Sequence, residues 1–402
     1  MNLVAPDLRL MLAAIGAVWA QPAASQQILD LPALEDGRRV IAFDPHVHTV
    51  FSDGLVWPTT RVDEAKRENL PAIAITDHVE WHPHGTDIPN PDLNRSYLLA
   101  QQAAATQGVV VVRGAEITRG TPPGHLNVIF LKDINPLLTT RVRESGTSAE
   151  MYEETKGDIA SVEKALRLAK QQGAFVIFNH PYDNDGIARL PPENVGLIDK
   201  RLIDGIEVAN RGRVFTEAIA FAIDHNLTFI GSSDTHNAIS QELGMDEGVA
   251  RTVTLVLAKS NSEAAIHEAL DKRETAALTD NNIIGREPIV RQIAEASLKL
   301  YFPVNLPHYA KGTPDVTPAF ITNSTSIAFT LHYVGGSGLL NAAEIFQVPA
   351  HSCRNIVIKS APRGSQKTFG FEVMNSLISA HGHAKISLTA EDREMPNTRC
   401  RG

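Results

Sequence analysis

The sequence predicts an α/β protein in which a barrel, or an incomplete barrel, is followed by a small β domain. From residue 40 onward, short runs rich in Val, Ile and Phe alternate with helix-like stretches. The runs do not alternate between apolar and polar residues, which is typical of parallel strands buried on both faces. After about residue 284, shorter alternating segments separated by turn-like clusters indicate antiparallel strands. An open doubly wound sheet is the alternative for the first part. Both architectures bind ligands at the carboxyl ends of their strands, so motifs at strand ends do not distinguish them.

The strands predicted for the first domain are short and apolar. They comprise residues 40–43, 72–75, 109–112, 126–131, 174–178, 205–208 and 227–230. The clearest helix is predicted at residues 158–172, where apolar residues recur at helical spacing, Asp158 can cap the start and Gly173 can end it. Residues 61–69 and 215–225 are also helix-like. Seven strands separated by such helices favour the barrel over the open sheet.

The second domain is predicted to be a small antiparallel, sandwich-like β domain. Its strands are predicted at residues 319–321, 326–333, 354–360, 368–374 and 384–388. Residues 295–302 predict either a last helix or a strand, and residues 334–338 and 361–364 predict turns. We therefore expect a first domain at residues 38–286 and a β domain at residues 290–402.

Composition narrows the class of protein. The chain has 402 residues, 37 Lys and Arg against 46 Asp and Glu, and a formal charge of −9. The hydrophobic share of 43% and the charged share of 21% exclude a mainly disordered, collagenous or coiled-coil chain. The net acidity argues against nucleic acid as a partner, because nucleic-acid affinity comes mainly from Lys and Arg on phosphates.

An apolar run at residues 10–20 predicts export. It is too short to span a bilayer, which needs about 20 residues, and it is typical of a signal peptide. We therefore expect a signal peptide at residues 1–25, no transmembrane segment in the mature protein, and a periplasmic or secreted location. The alternative is an amino-terminal helix packed on the domain. If the protein is exported, Cys353 and Cys400 are able to pair, and two unpaired thiols are the alternative.

Polar residues capable of binding metal recur at or beside the ends of the predicted strands. They are His46, His48, Asp53, His78, Glu116, His125, His180, Asp234 and His236. Residues i and i+2 of a strand point to the same side, so His46 and His48 can converge on one point. Each motif alone is weak, and Glu116 by itself would be satisfied by Arg113 or Arg119. Their regular placement at one edge of an α/β fold predicts a site for divalent Zn, Mn or Fe.

The set of motifs resembles the PHP family, named for polymerase and histidinol phosphatase. The resemblance covers roughly residues 40–286. It rests on His46-Val-His48, Ser52-Asp53-Gly54, Thr76-Asp77-His78, Glu116, His125, His180-Pro181 and Asp234-Thr235-His236. It implies a distorted (β/α)7 barrel with a centre of two or three metals that hydrolyses phosphoesters.

The resemblance also implies how the ligands are shared. A first metal would be bound by His46, His48, Glu116 and Asp234, a second by Glu116, His125 and His180, and a third by Asp53, His78 and His236. Hydroxide bridging two of these cations would attack phosphorus in a phosphate ester, and the cations would stabilise charge on its oxygens. If a third metal does not occupy both of them, Asp53 or His236 would act as the general acid for the leaving group. Arg119, Arg211 and Arg213 are predicted to bind the substrate phosphate, with surface arginines as the alternative.

Several functional alternatives remain open from the residues. A small-molecule phosphomonoester is the favoured substrate class, and a phosphodiester on the same centre is the first alternative. An amidohydrolase-like metal hydrolase is the second, although Glu116 stands where that class usually has lysine or a similar bridging group. A non-catalytic binding protein is the third. The sequence does not decide the oligomeric state or the role of the β domain.

Two connections are predicted to lie near the site. Residues 79–90 follow His78 and contain Trp81, His82 and His84, so they predict a lid or a leaving-group pocket, with a plain surface loop as the alternative. The longer connection at about residues 135–157 covers the mouth of the barrel only if strand order places it there.

Overall fold

The computed structural model describes residues 29–182, 186–242, 250–304, 316–335, 338–359 and 368–394. The signal peptide predicted at residues 1–25 lies outside the described residues. Within the ranges given, no helix combines the length and apolar character needed to cross a membrane.

All seven apolar runs predicted for the first domain form strands of one large sheet. The strands of this domain are β1 (Arg39–Asp44), β2 (Ala72–Ile75), β3 (Val110–Ile117), β4 (Leu126–Ile129), β5 (Phe175–Phe178), β6 (Gly205–Asn210), β7 (Arg213–Val214), β8 (Thr228–Ser232), β9 (Val253–Ala258), β10 (Thr275–Thr279) and β11 (Asn282–Gly285). They are joined in the order β11-β10-β9-β1-β2-β3-β4-β5-β6-β7, and β8 pairs with β6. The sheet curls so far that the chain after β8 meets the chain after β1.

The meeting point lies just beyond the carboxyl ends of β1 and β8. The Asp234 N–H donates to the carbonyl of His46 at 2.9 Å, and the His48 N–H donates to the carbonyl of Thr235 at 3.1 Å. These two bonds form a parallel bridge between Val47 and Thr235. The bridge brings the His46–His48 motif directly beside the Asp234–His236 motif.

One strand runs against the expectation of seven parallel strands. Parallel pairing joins β1, β2 and β3, and also β5, β6 and β8, but β4 is antiparallel to both β3 and β5. The connection from β3 to β4 contains no helix to carry the chain back to the opposite edge, so β4 returns directly. Residues before β4 therefore lie at the same edge as residues after the other strands, and His125 precedes β4. A count of seven β/α units is not established by this arrangement.

Helices cover the outside of the sheet. They are α1 (Pro58–Arg67), α2 (Arg95–Ala104), α3 (Ser148–Thr155), α4 (Ile159–Gln171), α5 (Pro192–Asp199), α6 (Thr216–Asp224), α7 (Ile239–Glu242), α8 (Glu263–Asp271) and α9 (Glu287–Ser297), with a 3-10 turn at Asn135–Leu137. The three predicted helices correspond to α1, α4 and α6. The side chain of Asp158 caps α4 by accepting from the Ser161 N–H at 3.3 Å, as predicted.

The second domain is a seven-stranded sheet that is nearly closed. Its strands are β12 (Leu298–Pro303), β13 (Val316–Asn323), β14 (Phe329–Tyr333), β15 (Ile345–Val348), β16 (Ser352–Lys359), β17 (Thr368–Val373) and β19 (Ala384–Arg393), in the order β15-β14-β17-β19-β12-β13-β16. Just before β15, Leu340 N–H donates to Val357 on β16 at 2.8 Å, which draws the two edges together.

Three details of this domain differ from the predictions. The pairing of β12 with β19 is parallel, whereas only antiparallel pairs were expected. The segment at residues 295–302 is both a helix end and a strand, because α9 passes directly into β12. The strand β15 was not predicted.

Cys353 is disulfide-bonded, and Cys400, the only other cysteine of the sequence, lies outside the described residues.

The two domains share a hydrophobic core. Strand β18 (Ser376–Leu377) from the second domain pairs with β11 and extends the first sheet. Helix α9 lies between the domains and buries Ile289, Val290, Ile293 and Ala294 in a cluster that contains residues of both. The backbone N–H of Ser387 on β19 donates to the Glu295 carboxylate on α9 at 3.0 Å. Burial of this helix face therefore stabilises both domains together.

The variant Ile293→Ala tests the shared core. Ile293 is fully buried, so removing its side chain is expected to lower the free energy of unfolding by about 2–5 kcal/mol. Guanidinium chloride denaturation measures the change. Ile223→Ala on α6, where the side chain is 40% exposed, serves as the control and should change stability by no more than about 0.5 kcal/mol. Equal effects of the two variants would contradict a shared core at α9.

Candidate metal centre

The structure brings all nine predicted ligands to one end of the first domain. Six histidine rings form a continuous cluster, with centroid distances of 4.2 Å between His48 and His236, 4.6 Å between His48 and His78, and 4.9 Å between His125 and His180. Three overlapping groups of these residues place donor atoms within 4.8 Å of one another. The antiparallel direction of β4 is what allows His125 to join the cluster.

Three donor atoms at the centre, from His46, His48 and Glu116, lie close enough together for a metal site, and Asp234 lies beside the two histidines. His46 Nε2 lies 3.0 Å from His48 Nε2, 3.5 Å from Glu116 Oε2 and 3.2 Å from Asp234 Oδ1. His48 Nε2 lies 3.4 Å from Glu116 Oε2 and 3.3 Å from Asp234 Oδ1. A tetrahedral cation with ligands at about 2.0–2.1 Å separates its donors by roughly 3.3–3.4 Å. The side chains of His46, His48 and Glu116 therefore form a group that can hold a divalent cation, and Asp234 lies beside both histidines of that group.

Glu116 connects this group to a second one. Its Oε2 lies 2.9 Å from His78 Nδ1, while its Oε1 lies 3.0 Å from His125 Nδ1 and 3.7 Å from His180 Nε2. The side-chain amide of Asn179 donates to Oε1 at 2.7 Å and holds the carboxylate in this orientation. A carboxylate placed in this way can bridge two cations.

Asp53 is the centre of a third group. Its Oδ1 lies 3.3 Å from both His78 Nε2 and His236 Nε2, and 3.7 Å from His48 Nδ1. Among the described residues, Asp53 Oδ1 and Glu116 Oε2 are buried and accept no hydrogen bond of acceptable geometry. A buried carboxylate oxygen without a hydrogen bond is costly unless a cation satisfies it. The residues present thus fit divalent cations.

The histidines and carboxylates of the cluster shift one another's pKa values. Burial alone would raise the pKa of Glu116, but His78, His46 and His125 hold it well below its ordinary value. Burial would likewise lower the pKa of His46 and His78, yet the nearby carboxylates raise both well above the ordinary value. Burial and His236 lower the pKa of His48 to about 4. Protons on some histidines thus balance the carboxylates, and cations would replace those protons.

A buried arginine holds the ligand loops together. Arg61 on α1 donates to the carbonyls of His48 at 2.8 Å, His236 at 2.8 Å and Asn237 at 2.7 Å, and it pairs with Glu64 at 2.8 Å. One guanidinium therefore joins the loop after β1 to the loop after β8. The motif searches of the sequence did not identify Arg61, because its partners are backbone carbonyls that become neighbours only in the fold.

Aspartates next to the ligand motifs complete this support. Asp44 accepts from the Ser233 hydroxyl at 2.5 Å, and Asp77 accepts from the Thr49 N–H at 2.7 Å and the Ser52 hydroxyl at 2.8 Å. Gly54 is needed for the tight return of the loop, because a Cβ there would lie 2.7 Å from the backbone nitrogen of Thr49. These contacts fix the direction of the ligands on both sides.

Glu207 on β6 is a functional residue that the sequence analysis missed. It is fully buried, and its Oε1 lies 2.9 Å from Nδ1 of His46. This contact directs Nε2 of His46 toward the other ligands and fixes its tautomer. The other oxygen accepts from the His180 N–H at 2.6 Å. The signal in the sequence that could have identified Glu207 is that it is the only charged residue in the apolar run at residues 205–208.

Two of the ligands have unusual backbone conformations. His180 has φ of +22° and Asp234 has φ of +50°, both in the region that side chains other than glycine rarely adopt. The hydrogen bonds of each residue to neighbouring strands hold these conformations in place.

The three predicted substrate arginines have different environments. The side chain of Arg119 is buried and pairs with Glu80 at 2.6 Å and Asp158 at 3.2 Å, and it lines the cavity beside His125 and His180, so its contact with phosphate stays a prediction. Arg119 therefore holds the loop after β3 to α4. Arg211 donates to the Asp234 carbonyl at 3.1 Å with 38% of its side chain exposed. Arg213 is exposed, with its guanidinium 4.8 Å from the Tyr182 ring. Arg211 and Arg213 are the more exposed of the three candidates for phosphate contacts.

The loop predicted as a lid is packed into the protein. Trp81 is only 6% exposed and forms a backbone bridge with Arg143. The Nε2–H group of His82 donates to the carbonyl of His78 at 2.9 Å. This segment therefore supports His78 from behind. A cavity of about 700 Å³ opens instead beside His125 and His180, and α3 forms part of its wall.

The charge balance predicts how stability depends on pH without metal. The raised pKa values of His46 and His78 mean that their ion pairs stabilise the fold below the ordinary value of about 6.5 and are lost as pH rises through the raised values. A divalent cation supplies the positive charge without a proton. From pH 7 to pH 9, scanning calorimetry should show a falling melting temperature for metal-free protein and a nearly constant one for Mn²⁺-loaded protein. Equal falls would contradict the proposed charge balance.

Comparisons with known proteins agree with this geometry. The family model described as PHP domain matches residues 44–231, and a model described as Ig-like domain matches residues 304–389. No curated protein matches the chain at a significant level.

Among solved structures, a two-domain protein from Bacteroides vulgatus, described as containing a predicted PHP-like metal-dependent phosphoesterase, is 34% identical. The match covers 90% of this chain and 98% of that chain, with a TM-score of 0.76. PsfC from Pseudomonas syringae is 20% identical over 60% of this chain and 91% of that chain, with a TM-score of 0.40. An amidohydrolase from Chromobacterium violaceum is 17% identical over 55% of this chain and 99% of that chain, with a TM-score of 0.36. This chain belongs to the PHP family and joins a PHP domain to a carboxyl-terminal Ig-like domain.

Proposed function

We propose that this protein is a metal-dependent phosphoesterase that hydrolyses a small-molecule phosphomonoester. The observation that carries the proposal is the group of donor atoms from His46, His48 and Glu116, at separations suited to one divalent cation, with Asp234 beside both histidines. Glu116 extends the set toward His125 and His180, and Asp53 extends it toward His78 and His236. Two or three cations are proposed to bind in these groups.

The chemistry of the donors supports this function. When bound, divalent cations supply a nucleophilic oxygen at neutral pH and stabilise negative charge on phosphoryl oxygens. The chain's own contribution is to hold its donors rigidly, since Glu207 orients His46 and Asn179 orients Glu116. No thiolate takes part in the described cluster, so oxygen and imidazole donors set its preference toward Zn, Mn or Fe.

Asp53 and His236 lie on the more exposed side of the cluster. The side chain of Asp53 is 27% exposed, and that of His236 is 24% exposed. His236 Nδ1 donates to the Asp234 carbonyl at 2.9 Å, which directs Nε2 toward Asp53. We propose that both residues hold a cation when three are bound. With two bound, they are the groups placed to exchange a proton with the leaving oxygen.

Arg211 is the proposed phosphate contact. It is held by Glu242 at 2.5 Å and by the Asp234 carbonyl at 3.1 Å, so its guanidinium is fixed beside a metal ligand while remaining partly exposed. A planar guanidinium can bind two oxygens of a phosphate monoester. Arg213 is close in sequence and exposed, and it supports the same role.

The first test is the ester specificity of the metal-loaded protein. With Mn²⁺, the full chain is expected to hydrolyse an aryl phosphate monoester faster than the matched diester. Glu116→Ala should lower kcat/KM on the order of a thousandfold, because it removes a donor shared by two sites worth several kcal/mol. Glu268→Ala, which changes an exposed carboxylate on α8, is the control and should retain activity.

The outcomes of this assay separate the alternatives. Faster diester turnover that is lost in Glu116→Ala would move the proposal to a phosphodiesterase. Turnover of neither ester, with the cations bound, would refute the phosphoesterase and favour an amidohydrolase-like hydrolase or a binding role.

A second test concerns Arg211. Replacing it in Arg211→Ala should lower kcat/KM for the monoester by about 10- to 100-fold, because a hydrogen bond to a charged group is worth about 1.5–3 kcal/mol. Arg167→Ala, which removes an exposed arginine paired with Glu163 on α4, is the matched control. Steady-state kinetics that show equal values for both variants would exclude Arg211 from phosphate binding.

A further inference from the structure

The cavity beside His125 and His180 has a composition that the metal chemistry does not explain. Its volume is about 700 Å³, within the usual range of roughly 300–1,000 Å³ for pockets that bind small molecules. The residues Tyr152, Phe178 and Tyr182 contribute aromatic surface to its wall. Every described residue that lines it belongs to the first domain. We call it the ring pocket.

The aromatic rings of the ring pocket continue the row of ligand histidines. The Tyr152 ring lies 5.1 Å from the His125 ring, the His125 ring 4.9 Å from the His180 ring, and the His180 ring 6.0 Å from the Tyr182 ring. Two tyrosines therefore flank the two histidines proposed to share a cation with Glu116. A molecule bound by its phosphate at that cation would extend its remaining part between these tyrosines.

Helix α3 holds Tyr152 firmly in the wall. The helix begins with a capping box in which Thr147 and Glu150 satisfy each other's backbone N–H groups. At its other end, the Gly120 N–H donates to the Thr155 hydroxyl at 3.0 Å. A Cβ on Gly120 would lie only 2.0 Å from the carbonyl oxygen of Tyr152, so glycine is required for α3 to pack this closely.

Tyr182 is held from the other side. Its ring stacks on Phe215 at 5.2 Å, and the guanidinium of Arg213 lies 4.8 Å from its centroid. Both tyrosines are only half-buried. Rings that are fixed in position but still partly exposed are suited to contact with another ring, because aromatic pairs gain about 0.5–1.5 kcal/mol beyond burial.

We propose that the ring pocket binds the alcohol part of the substrate and selects phosphoesters whose alcohol carries an aromatic ring. This inference rests on the proposed phosphoesterase function and adds the substrate class. An aliphatic alcohol would leave the tyrosine rings in contact with water, whereas an aromatic one could pack against Tyr152 or Tyr182.

The test compares two phosphonates that cannot be hydrolysed. Benzylphosphonate and ethylphosphonate carry the same anionic group and differ in the ring, so the ratio of their dissociation constants isolates the contribution of the ring pocket. Isothermal titration calorimetry on the Mn²⁺-loaded full chain is expected to show tighter binding of benzylphosphonate, by about two- to tenfold for each tyrosine ring it contacts. Equal affinity, or no binding of either, would overturn the inference.

Three variants test whether Tyr152 and Tyr182 cause the preference for benzylphosphonate. Tyr152→Leu and Tyr182→Leu are each expected to lower the affinity ratio by about two- to tenfold, whereas Tyr152→Phe keeps the ring and should keep the ratio. Melting temperatures check that each variant is folded, and the two Leu variants act on different elements, so one can replace the other. An unchanged ratio in both Leu variants would overturn the inference.

The binding test is separate from the test of function. If benzylphosphonate is preferred and the Leu variants lose that preference, the ring pocket is supported even where no ester is hydrolysed. Ester hydrolysis without any preference between the phosphonates would support the phosphoesterase and overturn the ring pocket.

Discussion

The buried carboxylate of Glu116 is the interaction on which the site depends. It lies within β3, a central strand, and its two oxygens face different histidines: His46, His48 and His78 surround one, and His125 with His180 approach the other. A charge buried this deeply is tolerated only where opposite charges surround it. The histidines around Glu116 must therefore carry protons or cations, so the protonation of the cluster and its binding of metal are one linked equilibrium.

A layer of buried polar residues keeps the donors in place. Arg61 joins the loops after β1 and β8, Asp44 and Asp77 fix the backbone around the histidine motif, and Glu207 sets the tautomer of His46. These contacts cross between elements far apart in the chain, so they form only when the sheet curls and the chain after β8 meets the chain after β1. Closure of the sheet and assembly of the site are the same structural event. The second domain contributes through the core shared at α9, rather than through any described ligand.

Local sequence patterns predicted much of this structure. Seven apolar runs, the alternating strands of the second domain and the cap of α4 depend on neighbouring residues, so periodicity and capping chemistry were sufficient to locate them. The convergence of nine ligands was also predictable, since motifs at strand ends meet at one edge of an α/β sheet. Arg119 shows what this reasoning leaves out. Its position after β3 indicated a substrate contact, whereas its ion pairs with Glu80 and Asp158 arise only from folding and were not predicted.

By itself the sequence determined which donor groups are available, because imidazole and carboxylate groups beside strand ends can be recognised whatever the details of packing. Tertiary structure alone decided the direction of β4, the role of Glu207 as an orienting residue and the pairing of Tyr152 with Tyr182 around one cavity. The physical reason is the range of the interactions. Periodicity, caps and spacing act within a few residues, whereas strand direction, buried ion pairs and pocket walls depend on contacts between segments distant in the chain, and these exist only once the sheet has closed.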